Sequence, residues 1–142
     1  MSDQYTRRAL AIMKGDNVVY TLYPVVGAGV SIGDTVTQGG ANVWGADKEL
    51  IAALAITTPF WFCQAMVDTS DAAETYVVDI ERAGANSIYS FRVNPTAVTL
   101  NLGPYGPPFP VAVVANTQVT ARCSGPTGGK TINLSILIAT GL

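Results

Sequence analysis

Apolar and polar residues alternate with a period of two through most of this chain. In "TINLSILIATGL", Ile132, Leu134, Ile136 and Ile138 fall on one face, and Thr131, Asn133 and Ser135 on the other. In "ETYVVDIERAG", Tyr76, Val78 and Ile80 face one way, and Asp79 and Glu81 the other. "NSIYSFRVN" places Tyr89, Phe91 and Val93 together, and "TTPFWFCQAMVDT" does the same for Trp61, Cys63, Ala65 and Val67 after Pro59. "NVVYTLYPVV", "AVTLNLGPYG" and "PPFPVAVVANTQVTARC" add further extended stretches, the last divided near Asn116. Such alternation, rich in β-branched and aromatic residues, predicts half-buried strands. The strands recur about every 10 to 15 residues, with Gly, Pro and Asn between them. Residues 27–42 read as a long glycine-rich loop with short extended pieces. "ADKELIAALAI" is the one helical possibility, from Asp47 to Ala55, because Leu50, Ile51 and Leu54 stand three and four apart. It is short enough that an irregular strand edge is equally open.

Eight or so strands and at most one short helix predict an all-β fold, an antiparallel β-sandwich of jelly-roll-like character. Residues 1–16 show no sheet period and read as an N-terminal arm or short helix. Residues 17–142 read as a single β-sandwich domain, as the length suggests.

"SGPTGGKT", residues 124–131, comes close to a phosphate-binding loop, G-x-x-x-x-G-K-[ST]. The first glycine is replaced by Ser124. That loop also needs a helix after it, whose N-terminal N–H groups hold the phosphates. The residues after Thr131 have the strand period instead, so the stretch reads as the turn of a strand–turn–strand hairpin, and no nucleotide is expected.

Composition narrows the chemistry. The chain has no histidine, which removes the commonest general base and zinc ligand. Net charge is −2, which offers a nucleic-acid partner no support. No apolar run is long enough to suggest a membrane span, and the N-terminus lacks a secretory leader's apolar core. Charged residues are only 13% and hydrophobic ones 49%, a lean polar surface that points to an exterior covered in part by copies of the chain or by a partner. Cys63 and Cys123 read as buried thiols of a reducing compartment, with a bridge between them left open.

Few residues invite a chemical role. The acidic turn "DTSDAAET" holds Asp68, Asp71 and Glu74 but matches no calcium loop and reads as a solvated turn. Asp79 and Glu81 share the outer face of one strand and read as solubilising charges rather than a catalytic pair. "GPYGPPFP", residues 103–110, packs four prolines and two aromatics into eight residues. It reads either as a stiff contact loop carrying Tyr105 and Phe109 or as a connection that blocks edge pairing. Trp44 is a similar contact candidate. In the arm, Arg7 and Arg8 stand beside Leu10 and Ile12, a combination that would gain from docking on a neighbour. No catalytic, metal-binding or cofactor-binding residue is expected.

"PFWFCQAMVD", "ETYVVDIERAG", "SIYSFRV", "PFPVAVVANTQVTARCSG" and "KTINLSILI" together resemble small all-β proteins of tailed-phage genomes. The resemblance spans roughly residues 56–140. It implies a virion structural protein, a capsid decoration or cement protein, or a related head or tail component. It also implies a location in the virion after synthesis in the host bacterial cytoplasm. The expected partners are the chain itself, as a homo-oligomer with a trimer favoured, and capsid or other virion proteins. The alternative is a carbohydrate- or receptor-binding jelly-roll module of a phage tail or head fibre. In the resembling proteins the tight turn after the proline-led strand usually holds glycine; here Asn116 stands in "VANTQ", a residue that tolerates the left-handed conformation.

Overall fold

The structure is a computed structural model that describes residues 18–24, 33–83, 86–95 and 99–141, with the backbone alone for 99–102. Two antiparallel sheets face each other, and the described residues contain no helix. The strands are β1 (Val19–Tyr23), β2 (Asp34–Thr37), β3 (Lys48–Ile51), β4 (Phe60–Ser70), β5 (Tyr76–Arg82), β6 (Asn86–Val93), β7 (Thr99–Tyr105), β8 (Val111–Val113), β9 (Val119–Ser124) and β10 (Thr131–Thr140). The first sheet runs β1-β10-β4-β7, with β2 also on β10 and β8 also on β4; the second runs β3-β9-β5-β6. The β-sandwich read from the alternation is therefore the fold.

The core is what period two predicts. Ile132, Leu134, Ile136 and Ile138 of β10 meet Tyr76, Val78 and Ile80 of β5 and their neighbours in one buried cluster. Successive strand residues point to opposite faces, so each sheet gives alternate side chains to this layer. Four rings run through it in sequence. Phe62 and Tyr89 lie 6.0 Å apart, Tyr89 and Phe91 5.8 Å, and Phe91 and Tyr105 4.8 Å between centroids.

Two open readings resolve and two readings change. Of the two options from Asp47 to Ala55 the strand edge holds: Lys48–Ile51 pairs with β9, and Ala55 N–H closes a turn on Ala52. A helix under three turns gains little alone, whereas the exposed edge of β9 offers backbone partners at once. Of the loop with short extended pieces expected over 27–42, residues 27–32 lie outside the described residues, and β2 is an extended piece of the rest, paired with the start of β10. In β4 the predicted face breaks at Cys63. Leu137 pairs with Gln64 and Ile138 with Phe62, so Cys63 is the extra residue of a bulge. Phe60 and Phe62 consequently share the core with Ala65 and Val67, while Trp61 turns to the outer face beside Ala139.

The second change concerns residues 124–131. β9 and β10 lie in different sheets, so the segment is a corner between layers and not a hairpin. Gly128 and Gly129 both take positive φ, at 80° and 67°, as a sharp corner requires. Gly128 N–H donates to Gln38 Oε1 at 3.0 Å, and Thr131 N–H to Asp71 Oδ1 at 2.8 Å. Gln38 Nε2 in turn donates to Glu74 at 2.7 Å. The acidic turn expected to be merely solvated thus anchors this corner. Lys130 leads straight into β10, so the helix that a phosphate loop needs is replaced by sheet.

Candidate functional site

The side chains that the sequence marks as contact candidates do not converge. Arg7, Arg8, Leu10 and Ile12 lie outside the described residues. Phe109, between β7 and β8 of the first sheet, is 64% exposed. Tyr105 ends β7 half-buried, its ring stacked on Phe91 as the last of the core aromatics. Trp44 belongs to the other sheet: its ring lies under the Arg122 guanidinium, 4.8 Å from centroid to Cζ.

Arg122 leads to the most densely bonded polar cluster on that sheet. Along β5 the even positions fill the core, which turns Asp79 and Glu81 to the outer face. Asp79 pairs in register with Arg122 on β9 and with Ser90 on β6. Arg122 Nη2 stands 2.5 Å from Glu81 Oε1 and 3.4 Å from Asp79 Oδ2. Ser87 and Ser90 donate to Asp79 Oδ1 at 2.5 and 2.6 Å. Despite its outward direction the cluster is enclosed: the side chains of Asp79 and Glu81 are 8% and 2% exposed.

The segment ahead of β3 lies against the same sheet. Gly45 N–H donates to Cys123 O at 2.9 Å, and Asn42 N–H to Gly125 O at 2.8 Å, so this segment runs along β9. Trp44 then turns over Arg122. Gly45 is needed for that approach, since a Cβ there would fall 1.8 Å from the Thr37 carbonyl oxygen. The ring supplies the negative face a guanidinium favours.

One guanidinium serves two carboxyls, so both cannot ionise without leaving net negative charge in a nearly water-free place. Burial pushes Glu81 up from its ordinary value of 4.5; its hydrogen bond to Asp79 adds to this, and the Arg122 charge only partly opposes it. Burial also pushes Asp79 up, but hydrogen bonds from Ser87, Ser90, Glu81 and Arg122 outweigh it, and the net direction is down from 3.8. The two shifts therefore run in opposite directions, Glu81 toward its neutral form and Asp79 toward the carboxylate that Arg122 and the serines hold. Such a division suits acid–base chemistry in type. The depression lined by Arg82, Asn86 and Gln118 and that lined by Thr35, Ala46 and Lys48 do not reach it. The cluster binds β5, β6 and β9 to the Trp44 segment.

Sequence reasoning passed over this cluster because a strand's outer face is ordinarily wet. The available signal was the spacing of Arg122 from the core residues Ala121 and Cys123, which puts a cation on the same outer face as two acids.

The thiols are separate. Cys63 and Cys123 are both free, and burial pushes them up to about 11 and about 12. Among the described residues no group of three or more His, Cys, Asp or Glu side chains could hold a metal ion. No helix of the described residues is long and apolar enough to cross a membrane.

No protein-family model matches the chain, and no curated protein matches it.

Proposed function

We propose that this protein is a non-enzymatic virion structural protein of the capsid decoration or cement kind, which assembles with itself and binds the particle lattice. The observation that carries the reading is the path of the chain. β1 and β2 lie along one edge of β10, and β7 and β8 along one edge of β4. With each such pair taken as one interrupted strand, one sheet holds the first, eighth, third and sixth strands. The other holds the second, seventh, fourth and fifth. In this reading the sandwich is a jelly roll, two nested Greek keys, an architecture used by viral capsid domains. Fold alone does not assign function. The resemblance to tailed-phage proteins, the low charge of 13% and the exposed Phe109 supply the rest of the support.

In this reading Phe109 is the projecting contact of the proline loop, where a stiff chain loses little entropy on docking. Arg7, Arg8, Leu10 and Ile12 belong to an arm that docks on a neighbouring subunit. The Asp79–Glu81–Arg122 cluster is a clamp that holds an outer surface rigid, not a reaction centre. Free thiols agree with synthesis in a reducing cytoplasm.

Light scattering on the purified chain tests the assembly. A mass three times the 14.8 kDa chain at micromolar concentration is expected. A species that stays at the single-chain mass contradicts the reading.

A further inference from the structure

The two outer faces of the sandwich differ in chemistry. Register partners in a sheet point to the same side. Tyr20, Ala139, Trp61 and Ala112 therefore form one outward row across β1, β10, β4 and β8. Leu22, Leu137 and Gln64 form the next row, and Ser135 and Met66 follow. No charged side chain stands in these rows of described residues. The second sheet shows the opposite, with Asp79, Glu81 and Arg122 turned outward. An antiparallel sheet with one face on the core ordinarily gives water a polar outer face.

Trp61 makes this face more than an apolar surface. It points outward, yet its exposure is only 5%, and Ala139 beside it has none. The described side chains it packs with, Val18, Cys63, Ala112 and Ala139, lie in this sheet or lead into it. Side chains of one sheet stand roughly perpendicular to it, so they flank a ring, whereas its outward side is kept from water by a layer over the sheet. Tyr20, at the end of the row, keeps 45% exposure, and Leu22, Met66 and Leu137 are half-buried.

Val18 points to the segment that reaches this face. It joins the Trp61 cluster directly ahead of β1, and the arm of residues 1–16 connects to the sheet through it and Asn17. The row from Tyr20 to Ala112 spans three strand spacings, about 14 Å. The arm reaches about 24 Å even when wound as a helix, so it can cross the row. It brings Leu10, Ile12 and Met13 as apolar groups. A segment tethered at the border of a face acts there at high effective concentration, which a free partner has to match. A charged partner finds no counter-charge in these rows.

We infer that the outer face of the first sheet is the seat of the N-terminal arm, with Leu10, Ile12 and Met13 laid over Trp61 and Ala139 and with Arg7, Arg8 and Lys14 turned away from them. Burial of the three apolar side chains against the row is the driving force. Which copy supplies the arm rests on the proposed function: in an assembly each seat holds the arm of a neighbouring copy. Exchange of an identical element between copies keeps every contact the seat offers, so it costs little.

The seat carries its own reporter. Cys63 packs in the Trp61 cluster as a free thiol, while Cys123 lies in the core. Leu10→Cys, Ile12→Cys and Met13→Cys are made singly in the full chain and oxidised with diamide. At least one is expected to form a disulfide with Cys63, seen on non-reducing gels as linked chains and lost when Cys63→Ser is added. Deletion of residues 2–14 is expected to speed modification of Cys63 by a disulfide reagent about tenfold or more, with the circular dichroism of the parent. A disulfide confined within one chain keeps the seat and overturns the neighbouring copy as the source of the arm. No disulfide to Cys63 from any of the three positions, or a Cys63 rate unchanged by the deletion, overturns the inference. Should the deleted chain fail to fold, the three cysteine variants of the full chain carry the test.

Discussion

Arg122 of β9 and Glu81 of β5 meet at 2.5 Å on the outer face of a sheet, where Glu81 keeps only 2% of its side-chain exposure. A second acid, Asp79, shares the same guanidinium at 3.4 Å. Strand alternation sends both acids outward, where Arg122 answers them and itself lies over the Trp44 ring.

Removing the cation should expose that arrangement. Arg122→Leu leaves two acids without their counter-charge and takes the guanidinium from the Trp44 ring. We predict a loss of about 2 kcal/mol in urea unfolding at neutral pH, less than for a fully buried pair because Arg122 keeps 28% exposure. The loss should shrink in mild acid, where protonation relieves the stranded carboxylates. Tryptophan emission should change in the folded state.

The pH dependence comes from the two opposite shifts. Glu81 is raised above 4.5, so its contribution is full below that value and declines as pH rises through its folded-state value. Asp79 is lowered below 3.8, so its contribution is full above that value and is lost as pH falls through its folded-state value. The cluster is therefore most favourable in mild acid, with Glu81 protonated and Asp79 ionised. Glu81→Gln keeps the neutral form. Its urea midpoint should stay flatter than the parent's as pH rises above 4.5.

Gly45 sets how closely the Trp44 segment approaches. Gly45→Ala places a methyl group 1.8 Å from a backbone oxygen that cannot rotate away. We predict a loss of about 1–3 kcal/mol and a more solvent-exposed tryptophan signal, with circular dichroism still that of a β-protein.

The thiols should be slow. Cys123 is buried in the core and Cys63 half-buried, both pushed upward by burial. A disulfide reagent at about pH 8 should leave Cys123 untouched in the native protein and modify Cys63 slowly. Both should react at once in denaturant.

The sandwich was legible because period two is a property of single strands, and it placed Ile132 to Ile138 and Tyr76 to Ile80 in the core without knowledge of their partners. Events between strands were not. The bulge at Cys63 that turned Trp61 outward depends on how β4 meets β10. The sheet change at Gly128 and Gly129 has the same composition as a hairpin turn. The short pattern from Asp47 to Ala55 fits a helix and a strand edge alike, and only the free edge of β9 decides for the strand. The burial of Asp79 and Glu81 could not be read locally either, because their partner Arg122 stands on another strand, far away in the chain. Asn116 was legible as a left-handed turn residue, and it stands at φ 63°.

The proposed role puts this chain on a phage particle, and purified particles of that phage test the proposal most directly. Intact virions banded on a density gradient should carry the protein at a fixed copy number per capsid subunit. Particles grown without it should bind the added chain saturably, and Phe109→Ser should weaken that binding. Virions free of the protein, together with no saturable binding of the purified chain to them, would contradict the structural role.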